Sequence, residues 1–145
     1  MSGLDDPSIL AAYERVRDDR DPTDYILISY AAATGSKLTL TEAGSGGLGE
    51  LVKRLDDKEV QYAYVRVEYA NDKESTRVKF VVVTWIGEGC KVMRKAKVSV
   101  ESSAVKDKFT HHRAITASER SELREDDVVT LLRRSGGADY NGGRG

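Results

Sequence analysis

The sequence predicts an α+β domain, an α-β-α sandwich in which helices cover both faces of a mixed β-sheet. Three observations carry this. Val78 to Ile86 is apolar on both faces, with Val78, Phe80, Val82 and Ile86 on one and Val81, Val83 and Trp85 on the other. Such a strand belongs mid-sheet, under helices on each side. The element patterns run helix, two strands, helix, two strands, helix, short strand, helix. The 145 residues show no internal repeat and suit one domain, expected over 1–135, with 136–145 as a flexible tail.

Asp6-Pro7 opens the first helix, since aspartate caps free N–H groups and proline suits the first helical position. Ile9, Leu10, Tyr13 and Val16 follow at helical spacing, and the helix ends in the turn-rich DDRDPTD. YILISY, 25–30, reads as a strand. Leu38 and Leu40 alternate with Thr39 and Thr41, the pattern of a half-exposed strand. AGSGGLG, 43–49, reads as a flexible connector, and Leu48 to Leu55 as a short helix with Leu48, Leu51, Val52 and Leu55 on one side. VQYAYVRVEY, 60–69, is a long strand joined through the polar turn ANDKEST to the strand 78–86.

Lys91 to about Phe109 has helical spacing. Met93, Ala96, Val100 and Ala104 form its expected buried stripe, and the drift of Val105 and Phe109 off that stripe predicts a bend near Ser99 to Ser103. Ala114 to Thr116 reads as a short strand. Thr116-Ala117-Ser118-Glu119 fits a capping box for a final helix that buries Leu123, Val128, Leu131 and Leu132 and ends at Gly136-Gly137.

Composition narrows the function. Lys and Arg number 23 against 24 Asp and Glu. Without a basic excess, no nucleic-acid partner is expected. Cys90, the single cysteine, excludes an internal disulfide framework and a cysteine-based zinc cluster, and fits a reducing compartment. No apolar run approaches the ~20 residues of a membrane span. MSGLDDPS lacks a signal-peptide pattern, and Ser2 stands where a myristoylation signal needs glycine. The expectation is a soluble, cytoplasmic monomer.

Several motifs invite chemistry and fail on inspection. Gly44-Ser45-Gly46-Gly47-Leu48-Gly49 fits G-x-G-x-x-G before a helix, with Glu68 where a ribose-binding acid would stand. The preceding strand alternates with threonine, however, and the order lacks successive βαβ units. A nucleotide- or dinucleotide-binding loop at 44–49 therefore stands as the alternative reading, behind a plain connector. His111-His112 point about 100° apart on a helix and have no ligand cluster near them in sequence. Cys90 beside Lys91 lacks a histidine partner and reads as a packing residue. The pairs Asp18-Asp19, Asp56-Asp57 and Asp126-Asp127 read as solvated helix ends. No catalytic residue, cofactor or metal is expected.

The basic helix is different. With Met93 at the centre of the buried stripe, Arg94, Val98, Lys91 and Lys95 fall at about 100°, 140°, 160° and 200°. Three cations would then surround an exposed Val98, with Lys97 flanking the stripe. No acid stands between Gly89 and Val100. That composition suits docking on an acidic partner. Arg77 and Lys79 add cations before the apolar strand.

These residues resemble a known family. Leu10 to Asp19 (LAAYERVRDD), Lys79-Phe80 through Thr84-Trp85-Ile86-Gly87-Glu88, Arg94-Lys95-Ala96-Lys97 and Gly136-Gly137-Ala138-Asp139-Tyr140 are similar, in order, to the coactosin branch of the actin-depolymerising-factor homology family, which includes cofilin, twinfilin and drebrin. The resemblance implies a cofilin-like fold, a mixed sheet of five to six strands flanked by helices on both faces. It implies a non-enzymatic protein of the actin cytoskeleton that binds filamentous actin, opposes capping and does not sever strongly. It places one actin surface on the helix, at Lys91, Arg94, Lys95, Lys97, Val98 and Lys106. It places a second at Arg77 and Lys79, with Arg124, Arg133 and Arg134 on the last helix. Anionic phosphoinositides are a further implied partner of the basic helix.

Overall fold

The computed structural model describes residues 3–70 and 75–142, with 135–142 as helix backbone alone. In chain order the elements are α1 (Pro7–Arg17), β1 (Tyr25–Tyr30), β2 (Leu38–Gly44), α2 (Gly47–Arg54), β3 (Val60–Ala70), β4 (Thr76–Ile86), α3 (Val92–Ala96), α4 (Val98–Lys108), β5 (Arg113–Ala117), a 3-10 turn (Arg120–Leu123) and α5 (Glu125–Gly142). The five strands form one sheet in the order β2-β1-β3-β4-β5. All pairings are antiparallel except β4 with β5, which makes the sheet mixed.

The alternation of β4 explains the layering. Val81, Val83 and Trp85 face a core closed by Leu48 and Leu51 of α2, Leu123, and Val128 and Leu132 of α5. Val82 faces the other core, closed by Ile9, Ala12 and Val16 of α1 and Val98, Val105 and Phe109 of the α4 side. Each face thus buries an apolar set that alternate residues of the one strand supply.

Local chemistry sets the ends. The Asp6 carboxylate accepts from the Ser8 amide at 2.8 Å, capping α1 as expected. Arg66 on β3 donates to the carbonyls of Val16, Asp18 and Asp21, so one guanidinium satisfies the turn after α1. The buried Trp85 indole N–H donates to Asp56 O at 2.8 Å, the polar partner a buried tryptophan needs.

Three expectations change. The supposed 43–49 connector is mostly regular, since Ala43 and Gly44 end β2 and Gly47 already begins α2. Only Ser45 and Gly46 remain, and Gly46, at φ 115°, takes a left-handed conformation that suits glycine. The capping box sits three residues later than read. The Glu122 carboxylate accepts from the Ser118 and Glu119 amides, and it opens the 3-10 turn rather than α5. α5 continues to Gly142, past the Gly136-Gly137 pair expected to end it. Residues 71–74 of the ANDKEST turn and 143–145 of the tail lie outside the described residues.

Candidate functional site

The basic helix is two helices. The chain breaks at Lys97 (φ −97°, ψ −2°), the C-cap of α3 and the N-cap of α4, earlier than the bend expected at Ser99 to Ser103. α4 buries Val98, Ser102 and Val105. Val98 is 7% exposed and belongs to the core, so it is not the outward contact that the helical wheel predicted. Met93 and Val100 are 73% and 75% exposed, and Val92 is 80% exposed. Ala96 and Ala104 are exposed as well. The stripe of Met93, Ala96, Val100 and Ala104 exists, but it faces outward.

Cations border this stripe. Lys91, Lys95 and Lys97 are exposed, Lys106 is half-buried, and among the described residues none of the four pairs with a carboxylate. Arg94 does not join them. Its guanidinium donates to Ala32 O at 3.0 Å, Ala33 O at 2.9 Å and Gly35 O, and lies 3.7 Å from the Tyr30 ring centre. A cation so engaged is an internal clasp.

The second predicted set lies elsewhere. Arg77 and Lys79 are cross-strand partners of Tyr69 and Val67 and project to the α5 face of the sheet. Arg77 is exposed and Lys79 half-buried. From Lys79 to Ile86, where the chain leaves for α3, seven steps of about 3.3 Å span roughly 23 Å. The two sets therefore sit at opposite ends of β4 and on opposite faces, and form two surfaces. Arg124 lies before α5, as the extended residue that ends the 3-10 turn, rather than on the last helix as expected; it and Arg134 of α5 are exposed. Arg133 donates to Ala70 O at 2.8 Å and lies over the Tyr69 ring, which anchors α5 to the end of β3.

The glycine loop is filled by the protein's own acid. The Gly47 amide at the start of α2, where a phosphate would dock, donates to Asp24 Oδ1 at 2.9 Å. Among the described residues, the hollow beside it carries Asp24, Glu68 and Glu125 with Arg66 as its one cation. An anionic ligand would meet three carboxylates there. The strand before it, β2, is an antiparallel sheet edge. His111 and His112 follow the helix rather than close it. The Nδ1 of His112 accepts from the Phe80 amide at 2.9 Å, and its ring stacks on Phe80. Cys90 packs against the α1–α4 core. Among the described residues no cluster of His, Cys, Asp and Glu could hold a metal.

The fold is shared with solved proteins. The crystal structure of coactosin from Entamoeba histolytica matches with a TM-score of 0.83 and 29% identity, over 94% of this chain and 99% of that one. The solution structure of mouse coactosin, described as an actin filament binding protein, matches with a TM-score of 0.73 and 29% identity, over 95% and 94% of the two chains. Coactosin of Dictyostelium discoideum is 34% identical over 146 residues, 99% of this chain and 98% of the relative. Residues 1–133 match the family of cofilin/tropomyosin-type actin-binding proteins. The chain belongs to the cofilin/actin-depolymerising-factor family.

Within this family member, one polar network escaped the sequence reading. The Tyr30 hydroxyl donates to Glu101 Oε1 at 2.5 Å and shares a 2.8 Å bond with Tyr62, while Ser36 Oγ donates to Glu101 Oε2 at 2.5 Å. Burial first, and then the Glu101 carboxylate, push the Tyr30 phenol well above its usual 10.0. Glu101 thereby ties α4 to β1, β3 and the loop before β2. Residues on four elements meet here, and no local spacing signals them.

Proposed function

We propose that this protein binds actin, preferentially in filaments, through two surfaces. The first is the outward stripe of Val92, Met93, Ala96, Val100 and Ala104 on α3 and α4, with Lys91, Lys95, Lys97 and Lys106 around it. The second is Arg77 and Lys79 on β4, with Arg124 just before α5 and Arg134 on it. The observation that carries the reading is the exposed apolar stripe. A helix pair that turns Met93 and Val100 to solvent and Val98 and Val105 inward has an exposed apolar face, and among the described residues Lys91, Lys95, Lys97 and Lys106 of the same segment pair with no carboxylate. Apolar contact supplies affinity, and cations supply attraction to an acidic partner and faster association.

The protein acts in this reading as a monomeric binding protein of the cytoplasmic actin cytoskeleton, opposing capping rather than severing. Anionic phosphoinositides compete with actin for Lys91, Lys95 and Lys97. The test is high-speed sedimentation with preformed actin filaments at low and physiological salt. Pelleting that weakens with salt is expected. No pelleting at low salt would refute the reading.

A further inference from the structure

The loop from Ala31 to Ser36 is exposed at every residue, yet it is held at several points. Arg94 of α3 grips the carbonyls of Ala32, Ala33 and Gly35. Glu101 of α4 holds Ser36 Oγ, and the Ala31 amide donates to Lys37 O at 2.9 Å. Gly35, at φ 92°, takes the left-handed turn that lets successive carbonyls converge on one guanidinium. An exposed loop that spends an arginine and a glutamate on its shape has a shape to keep.

That shape is the wall of a groove. Two hollows flank Arg94, of about 310 Å³ and about 400 Å³. Ala33, Lys91 and Arg94 line both. The larger continues onto Val92, Met93 and Lys97, and the smaller reaches Tyr30 and Lys58. Among the described residues that line the two hollows, Lys58, Lys91 and Lys97 bring cations without a carboxylate partner to the rim, against the one carboxylate of Glu59. Arg94 keeps its charge, but three of its N–H donors are committed to the loop carbonyls. The side of the groove formed by Val92 and Met93 is apolar and exposed, and lysines line the groove beside it. A segment that pairs an apolar side chain with neighbouring carboxylates complements both.

We infer that the groove between loop 31–36 and α3 receives an acidic, apolar-anchored segment of the actin partner, and that Arg94 is a positioning residue that holds the groove's wall. This rests on the proposed function, and extends the binding surface beyond the outward stripe to a loop on the other side of Arg94.

Three variants test it in sedimentation with actin filaments. Ala33→Asp and Ala33→Lys place opposite charges on the wall. Ala33→Asp weakens binding about tenfold, Ala33→Lys binds as well as the native chain or better, and the gap narrows as salt rises. Arg94→Lys keeps the charge but loses the planar fork. It weakens binding about tenfold and speeds amide exchange in residues 31–37 but not in the strands. Equal binding by the two Ala33 variants overturns the groove. Native-like binding by Arg94→Lys, or unchanged exchange in the loop, overturns its positioning role. A concentration-dependent dimer that Ala33→Asp abolishes overturns the choice of occupant in favour of a second copy. Native protein that fails to pellet overturns the proposed function itself, and the occupant with it. Native pelleting with indifferent variants overturns this inference alone.

Discussion

Met93 and Val98 exchange the roles that a continuous helix would give them, and their alanine variants separate the two assignments. Val98 is 7% exposed inside the α1–α4 core. Val98→Ala removes two methyl groups, worth about 0.8 kcal/mol each by transfer, and leaves a small cavity that raises the cost to about 2 kcal/mol. For a domain of this size that lowers Tm by roughly 4–8 °C. Filament affinity of the folded variant stays within about twofold. Met93 is 73% exposed. Met93→Ala changes stability by no more than about 0.5 kcal/mol, a Tm shift under about 2 °C. If the side chain is buried against the partner, its loss costs about 1.5 kcal/mol of binding, roughly tenfold in Kd. Thermal melts and sedimentation across a filament titration measure both. A large melting shift for Met93→Ala with none for Val98→Ala would restore the continuous helix. Native filament binding by Met93→Ala would remove the apolar stripe from the interface.

Three further outcomes are expected. Lys79→Ala weakens filament binding by about 1–3 kcal/mol, a loss that shrinks at high salt, and leaves Tm unchanged; a variant that pellets like the native chain moves the second surface elsewhere. Asp24→Ala removes the acceptor for the Gly47 amide and costs about 1 kcal/mol, seen as a fall of roughly 2–4 °C in Tm with filament binding intact. A gain in nucleotide affinity in that variant would reopen the glycine loop as an anion site. Tyr30, Tyr62 and Tyr64 are all raised above 10.0 chiefly by burial, so the folded state keeps protons that the unfolded chain loses. Their contribution is full below pH 10 and is lost as pH rises above it. Tyr30→Phe should flatten that alkaline limb in urea titrations, and an unchanged slope refutes the assignment.

The fold was legible where burial and periodicity agree. Val81, Val83 and Trp85 alternate with Phe80 and Val82, and both sets are apolar, so β4 had to lie mid-sheet between helical layers. The site was legible in composition but not in phase. A helical wheel assumes one uninterrupted axis, and the break at Lys97 resets it. The buried stripe of α4 also includes Ser102, whose hydroxyl has a backbone acceptor in Ser99 O, so apolarity alone does not mark that face. Met93 and Val100 carried the stronger apolar signal and lie outside. Arg94 illustrates the other limit. Its charge is visible in sequence, but the three carbonyls that occupy it come from a loop about sixty residues earlier, and only the tertiary fold brings them together. Arg133 is engaged in the same way by Ala70.

The two surfaces sit on opposite faces of the sheet and roughly 23 Å apart along β4. A β-strand paired on both sides is a stiff spacer, so neither surface can swing to meet the other. One flat partner face cannot touch both sets, whereas two neighbouring protomers in a filament can each take one. Under the proposed function, bivalent engagement of this kind would make filament binding tighter than either contact alone without any new bond. It also makes the two losses independent, because Lys79 and Met93 share no partner and lie far apart. In filament binding, the free-energy costs of Lys79→Ala and Met93→Ala should then add in the double variant. In binding to monomeric actin only the Met93 change should register, since a single protomer offers one contact. If Lys79→Ala weakens monomer binding as much as filament binding, both sets meet the same protomer and the rigid-spacer account is wrong.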